Sequence, residues 1–240
     1  MKSLSSPIAF GLAGVLLLQP LTAFAENGPY LAVRGGLVQA QTASFDVGTS
    51  SAVVDGNQEH YRIGYAADLA GGYQLGPLRV EAEASQKRTR LSSFYALSTA
   101  SVPNSATAPK SRAGGTFAAP TGKSRIRSLM VNAIVSTTNR DVFADGNVHF
   151  FAGGGVGYAW ARAFNHRAVA GADTYLNGGA RSFAWQVLGG VRYDLGKHLS
   201  LEAQYKYFAA TRLRFTDTAG RSLSGAQKWN GFLVGVSYAF

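Results

Sequence analysis

Glu81 and Glu83 stand two residues apart, and residues at i and i+2 of a strand share one face. Paired carboxylates on one face are the groups that general acid–base chemistry uses. Arg79 lies on the same face, so mutual neutralisation is the simpler reading. Hydrolysis needs a nucleophile and a base within hydrogen-bond reach. His60, His166, Ser92 and Ser93 fall towards one end of the alternating connections, and His149 and His198 towards the other. Nothing in the spacing brings either serine to a histidine, so no catalytic residue is expected. Asp46, Asp55 and Glu59 precede Arg62 with no Lys or Arg between them. They lack the alternate acidic positions of a calcium loop. There is no cysteine, which removes thiolate ligands and nucleophiles. Neither metal nor cofactor is expected.

The basic residues are more informative. No Asp or Glu occurs between Glu83 and Asp141, an interval that holds Lys87, Arg88, Arg90, Lys110, Arg112, Lys123, Arg125, Arg127 and Arg140. Arg162, Arg167, Arg181, Arg212, Arg214, Arg221 and Lys228 follow, and the formal net charge is +10. All of these but Arg140 fall near the same end of the predicted strands. Arginine pairs with phosphate or sulfate through a planar fork. Lys87, Arg88, Arg90, Lys110, Arg112, Lys123, Arg125 and Arg127 are therefore the candidate polyanion-binding residues. The partners considered are the phosphates of lipopolysaccharide and a sulfated host glycan or matrix ligand. No nucleic-acid motif is present.

These residues need elements to carry them, and the alternation of side chains supplies strands. Eight are predicted: Tyr30 to Val38, Arg62 to Gln74, Leu78 to Lys87, Ser128 to Thr137, Asn147 to Arg162, Ser182 to Leu195, Leu199 to Phe208 and Gly231 to Phe240. Leu78, Val80, Ala82 and Ala84 alternate with Arg79, Glu81, Glu83 and Ser85, the sharpest two-faced pattern. Short turns at Leu75-Gly76-Pro77, Thr138 to Gly146 and Gly196-Lys197-His198 alternate with four long polar loops. The second loop, Arg88 to Arg127, reads as mobile. An even strand number with connections of alternating length predicts an all-β fold, an eight-stranded antiparallel transmembrane β-barrel with short periplasmic turns and long extracellular loops. Mean hydropathy is close to zero, as alternation allows for a membrane barrel. Twenty-nine glycines suit a crowded interior.

An apolar face turned to lipid puts the charged face inside. The predicted lumen network is Arg34, Asp68, Arg79, Glu81, Glu83, Arg192, Asp194, Glu202 and Lys206. Eight strands enclose a space that side chains fill, so paired charges are expected there in preference to a wide channel. Tyr73, Tyr193, Tyr238 and Phe240 form one aromatic band. Tyr158, Trp160, Phe183, Trp185, Tyr205 and Tyr207 form the other. At the front, Lys2, the apolar run Ile8 to Leu18 and Ala23-Phe24-Ala25 have the form of a signal peptide cleaved after Ala25. Residues 1–25 are thus expected to be removed and 26–240 to form the barrel, with no periplasmic domain beyond it.

Phe151-Ala152-Gly153-Gly154-Gly155-Val156-Gly157-Tyr158, Phe183-Ala184-Trp185-Gln186 with Gly190-Val191-Arg192-Tyr193, and Leu201-Glu202-Ala203-Gln204-Tyr205-Lys206-Tyr207-Phe208 resemble strands five, six and seven of the opacity-protein and surface-antigen family of small outer-membrane barrels. The resemblance covers nearly the whole chain after residue 25. It implies a monomeric surface barrel, and an assembly signal at Phe240, Tyr238 and Val236 read by the barrel-assembly machinery. It implies an adhesin-like or surface-antigen role. The alternatives are a narrow porin-like channel and a lipid A-modifying enzyme.

Overall fold

The computed structural model describes residues 27–48, 53–96, 115–117, 120–137, 147–167, 174, 176–218, 220 and 222–240. The predicted signal peptide with its cleavage residue Ala25 lies outside them, as do Lys110 and Arg112. The strands are β1 (Gly28–Ala40), β2 (Ala43–Gly48), β3 (Val53–Tyr61), β4 (Gly64–Leu75), β5 (Leu78–Ala96), β6 (Gly115–Phe117), β7 (Thr121–Ser136), β8 (Val148–Arg167), β9 (Leu176–Asp194), β10 (Leu199–Thr216) and β11 (Ser222–Ala239). Eight of them close a ring in the order β1, β4, β5, β7, β8, β9, β10, β11, with β11 pairing back onto β1. Every pairing is antiparallel.

Register fixes the size of the ring. Leu78 of β5 pairs with Val135, and the row continues through Ala152, Gly189, Tyr205, Phe232, Leu37 and Tyr65. It re-enters β5 at Arg88, ten residues above its start. A shear of ten over eight strands gives a tilt of roughly 40° and a backbone cylinder roughly 17 Å across, from the usual strand rise and spacing. That width leaves no open pore once side chains are added.

The strands run beyond the predicted ends. β5 continues to Ala96, β8 to Arg167 and β10 to Thr216, while β7 starts at Thr121 and β9 at Leu176. Much of what reads as loop in the sequence is therefore barrel wall. The first loop folds as the β2–β3 hairpin, with β2 on β11 and β3 on β5. In the second, residues 88–96 and 121–127 are strand. Polar side chains misled the reading, because wall above a membrane faces water and needs no apolar side.

The outside and the inside are sorted as the alternation requires. Leu31, Val33, Leu37, Leu69, Val80, Leu129, Val131, Val135, Val156, Val187, Phe232, Val234 and Val236 are exposed on the outer wall. Two-thirds of the surface of Leu37 and Val33 is accessible, at 64% and 61%. A soluble barrel would not leave this many large apolar side chains in contact with water. Lipid removes the cost, and the band matches the apolar belt of a membrane barrel. Tyr73, Tyr193, Tyr238 and Phe240 are exposed at one edge. Of the opposite band, Tyr158, Trp160, Phe183 and Tyr205 are exposed, while Trp185 and Tyr207 are half-buried against each other with ring centroids 5.4 Å apart.

Candidate functional site

The lumen holds two layers. In the first, Arg34 donates to Glu81 at 2.7 and 3.2 Å and to Glu202 at 2.8 Å, and Arg79 donates to Glu202 at 2.7 Å. Lys206 bridges Glu83 at 2.8 Å and Asp68. The Asn132 amide donates to both Glu81 and Glu83 at 3.0 Å, and Gln186 donates to Glu83 at 3.1 Å. The Tyr30 hydroxyl adds a bond to Glu81 at 2.9 Å. Arg192 and Asp194 form a separate, partly exposed pair at 3.1 Å. All nine predicted lumen residues point inward, and the network is a charge-paired plug.

Lys87 belongs to this plug and not to the surface. It is 2% exposed, donates to Ser85 Oγ at 2.8 Å and lies 4.1 Å from the Phe208 ring centroid. Its assignment to the polyanion-binding group is therefore corrected. The reason is strand phase: Arg79, Glu81, Glu83 and Ser85 face inward, and β5 continues unbroken, so Lys87 must follow them. The second layer is apolar. Val38, Phe45, Leu91, Phe94, Ile126, Phe208, Leu213, Phe215, Leu223 and Trp229 close the upper lumen.

Within that layer lies a constellation that spacing did not reveal. Ser124 Oγ is 3.2 Å from His166 Nε2, and His166 Nδ1 is 3.2 Å from Glu59 Oε1. Tyr61 donates a short hydrogen bond to Glu59. Above the apolar belt, burial and then the Glu59 carboxylate push the Tyr61 hydroxyl well above the usual tyrosine range. Two backbone irregularities aim His166 inward. Asn165 has φ 47° at a register shift between Ala163 and His166, which reverses the phase of β8. Opposite it, Gly122 has φ 152°, and a Cβ there would lie 2.6 Å from the His166 ring and 2.7 Å from Leu91. No sequence pattern announces two matched bulges, so neither serine named from sequence, Ser92 nor Ser93, was the one involved.

Serine, histidine and carboxylate are the parts of a hydrolytic triad. Here their surroundings oppose that chemistry. His166 Nε2 is also 3.2 Å from the Lys123 carbonyl, which can only accept a hydrogen bond. A nitrogen that donates there has no lone pair left to take the serine proton. Ser124, His166 and Glu59 are 7%, 1% and 1% exposed. The adjoining cavity of about 10 Å³ is room for about one water, not for an acyl group. The arrangement locks the outer end of the lumen. Glu59 is thereby turned inward, towards His166 and Tyr61.

The remaining basic residues form a surface of the wall. Arg88 pairs in register with Arg125, and Arg125 with Arg162, all on the outward phase. One row above, Arg90 pairs with Lys123 and Lys123 with Phe164. One row below, Gln86 pairs with Arg127, and Arg127 with Trp160, which pairs with Arg181. Arg62 joins through its backbone N–H to the Arg90 carbonyl at 2.9 Å. The guanidinium carbons of Arg125 and Arg162 lie 4.9 and 5.2 Å from the Phe164 ring centroid. Arg88 reaches the Tyr65 hydroxyl at 3.4 Å, and Arg127 the Gln86 side-chain oxygen at 3.1 Å. Desolvation, then Arg127, Arg88 and Arg162, hold the Arg125 guanidinium below the usual arginine range.

Among the described residues no salt bridge joins a carboxylate to this cluster. Of the acids whose side chains are described, Glu59, Asp68, Glu81, Glu83, Glu202 and Asp217 are buried, Asp194 is half-buried and Asp46 is exposed. An open groove of about 900 Å³ runs over the wall, bordered by Arg62, Tyr65, Arg88, Arg90, Lys123, Arg125, Phe164 and Arg167. Of the eight candidate polyanion residues, the structure brings together Arg88, Arg90, Lys123, Arg125 and Arg127. It adds Arg62 and Arg162 to them.

No family model and no curated protein matches the sequence. The architecture does match solved structures. The chain is similar to Neisserial surface protein A, with 15% identity and a TM-score of 0.51 over 89% of this chain and 97% of that one. It is similar to outer membrane protein OprG of Pseudomonas aeruginosa, with 14% identity and a TM-score of 0.52 over 89% and 97%. Closed ring, filled lumen, outward apolar belt and these two matches agree that the chain has the fold of the small eight-stranded outer-membrane β-barrels.

Proposed function

We propose that the protein is a surface barrel of the Gram-negative outer membrane, anchored in lipopolysaccharide and presenting a basic outer rim to polyanions. One observation carries this reading: the described acids are almost all inside the barrel, while Arg62, Arg88, Arg90, Lys123, Arg127, Arg162, Arg181 and Arg214 are exposed outside it. The positive charge is therefore displayed, and it sits directly above an apolar belt. Charge complementarity then favours the phosphates of the outer leaflet. The chain would be exported through a signal peptide cleaved after Ala25, inserted by the barrel-assembly machinery through its Phe240 end, and remain a monomer.

An adhesin-like or surface-antigen role is the finer part of the proposal. The same rim offers arginine forks to a sulfated glycan or matrix ligand, a binding mode that needs no groove selective for lipid. A narrow porin-like channel finds less support, because the lumen is stoppered by a charged and an apolar layer. The lipid A-modifying alternative has its best candidates in Ser124 and His166, which are closed to an acyl chain. The test is fractionation and heat-modifiability of the protein in cells, with whole-cell binding to a glycan and matrix panel. The proposal expects an outer-membrane, heat-modifiable band. A soluble periplasmic protein would end it.

A further inference from the structure

Three arginines set directly opposite one another across adjacent strands work against the sheet that holds them. Arg88, Arg125 and Arg162 do so on β5, β7 and β8, and no described carboxylate lies within 4.0 Å of any of them. We propose that this row is the seat of a phosphorylated membrane glycolipid, with Arg88, Arg125 and Arg162 gripping its phosphate on the side wall of the barrel. The inference rests on the outer-membrane reading above and names the ligand chemistry and the residues of that rim.

Height on the wall selects a lipid over a soluble polyanion. Two outward positions below Arg125, on the same strand, Arg127 gives way to the apolar Leu129 and Val131, which are 57% and 59% exposed. Two positions below Arg162, Trp160 and then Tyr158 mark the same boundary. A molecule lying along this face must therefore be anionic at the arginine row and apolar just beneath it. A diphosphorylated, acylated disaccharide such as lipid A has that order of groups. A soluble sulfated chain has no apolar part to offer the belt.

The row is also held in place. Arg125 and Arg162 both face the Phe164 ring, and stacking of this kind fixes the plane of a guanidinium. Arg88 is steadied by the Tyr65 hydroxyl. Positioned forks bind phosphate with two bonds at little further loss of freedom. The groove of about 900 Å³ above them, edged by Arg90, Lys123 and Arg62, is of a size for a sugar headgroup. Binding would relieve the mutual repulsion within the row.

The experiment uses the full-length barrel purified in detergent and titrated with fluorescent diphosphoryl lipid A in mixed micelles. Dephosphorylated lipid A and heparin are run in parallel. Arg88→Gln, Arg125→Gln and Arg162→Gln together should weaken diphosphoryl lipid A binding at least tenfold and remove the preference over the dephosphorylated lipid. Lys197→Gln, an exposed base in the short turn between β9 and β10, should change it less than twofold. The Arg→Lys version of the triple variant keeps charge without the fork and should fall between. It also serves if the Gln triple does not fold. A Gln triple that discriminates as well as the parent overturns the seat while leaving the outer-membrane reading intact. Loss of heparin binding alone overturns it in favour of a soluble ligand. A parent barrel that never distinguishes the two lipids refutes lipopolysaccharide anchoring itself.

Discussion

Replacing Glu81 and Glu83 together with Gln should nearly unfold the barrel. The substitution preserves shape and removes two charges from a sealed compartment. In that compartment Asp68, Glu81, Glu83 and Glu202 face Arg34, Arg79, Lys87 and Lys206, four against four. After it, Arg34 keeps only Glu202 and Lys206 keeps only Asp68. New amide donors would also point at Asn132, which now donates to both carboxylates. Removing one partner of a buried pair costs about 3–5 kcal/mol. Because Asn132 is shared, the two losses are not independent, and a combined cost of about 6 kcal/mol is expected. With a urea slope of about 2 kcal/mol per molar, the midpoint should fall by about 3 M. The assay is the heat-modifiable band on electrophoresis of the refolded barrel across a urea series. Ser136→Ala, a small lumen change outside the network, is the control and should move the midpoint little. A double variant within 0.5 M of the parent would show that the network is dispensable and that the lumen is wetter than the packing implies.

Deleting Phe240 removes an exposed aromatic whose ring packs 5.3 Å from Tyr238 and whose backbone N–H closes the seam to Pro29 at 3.1 Å. Protease-sensitive protein should accumulate in the periplasm, and normal outer-membrane assembly of the truncation would contradict the terminal signal. Purified monomer in planar bilayers should pass only small currents, since both lumen layers block the path. Large, stable conductance would refute the plug. A fluorophosphonate probe should leave Ser124 unlabelled, whereas labelling lost in Ser124→Ala would reopen the enzyme reading. Gln in place of Lys110, Arg112, Lys123, Arg125 and Arg127 should leave assembly unchanged. It should weaken lipopolysaccharide or sulfated-glycan binding most at low salt, where screening is least. Equal binding across a salt titration would reduce the cluster to a solvated surface.

Alternation along Leu78 to Ser85 was enough to read strand, membrane and lumen, because a period of two has only two faces and lipid accepts only the apolar one. The same alternation on the other strands placed Arg34, Asp68, Arg192, Asp194, Glu202 and Lys206 with Arg79, Glu81 and Glu83 in the lumen. Extended two residues, the same phase would have turned Lys87 inward and left Arg88 and Arg90 outside. That error came from grouping Lys87 by charge with Arg88 and Arg90, although the predicted strand Leu78 to Lys87 already contained it and its phase turns it inward. Other features exist only through contacts distant in sequence. Arg88, Arg125 and Arg162 are neighbours because a shear of ten sets them in one row, and register between strands is not encoded in any single one of them. His166 meets Ser124 and Glu59 because a bulge at Asn165 reverses the phase of β8 against Gly122. A backbone irregularity leaves no periodic trace. The sequence by itself thus determined which residues face lipid, since that depends on local alternation. Only the tertiary structure decided which basic residues stand side by side, since that depends on how eight strands close.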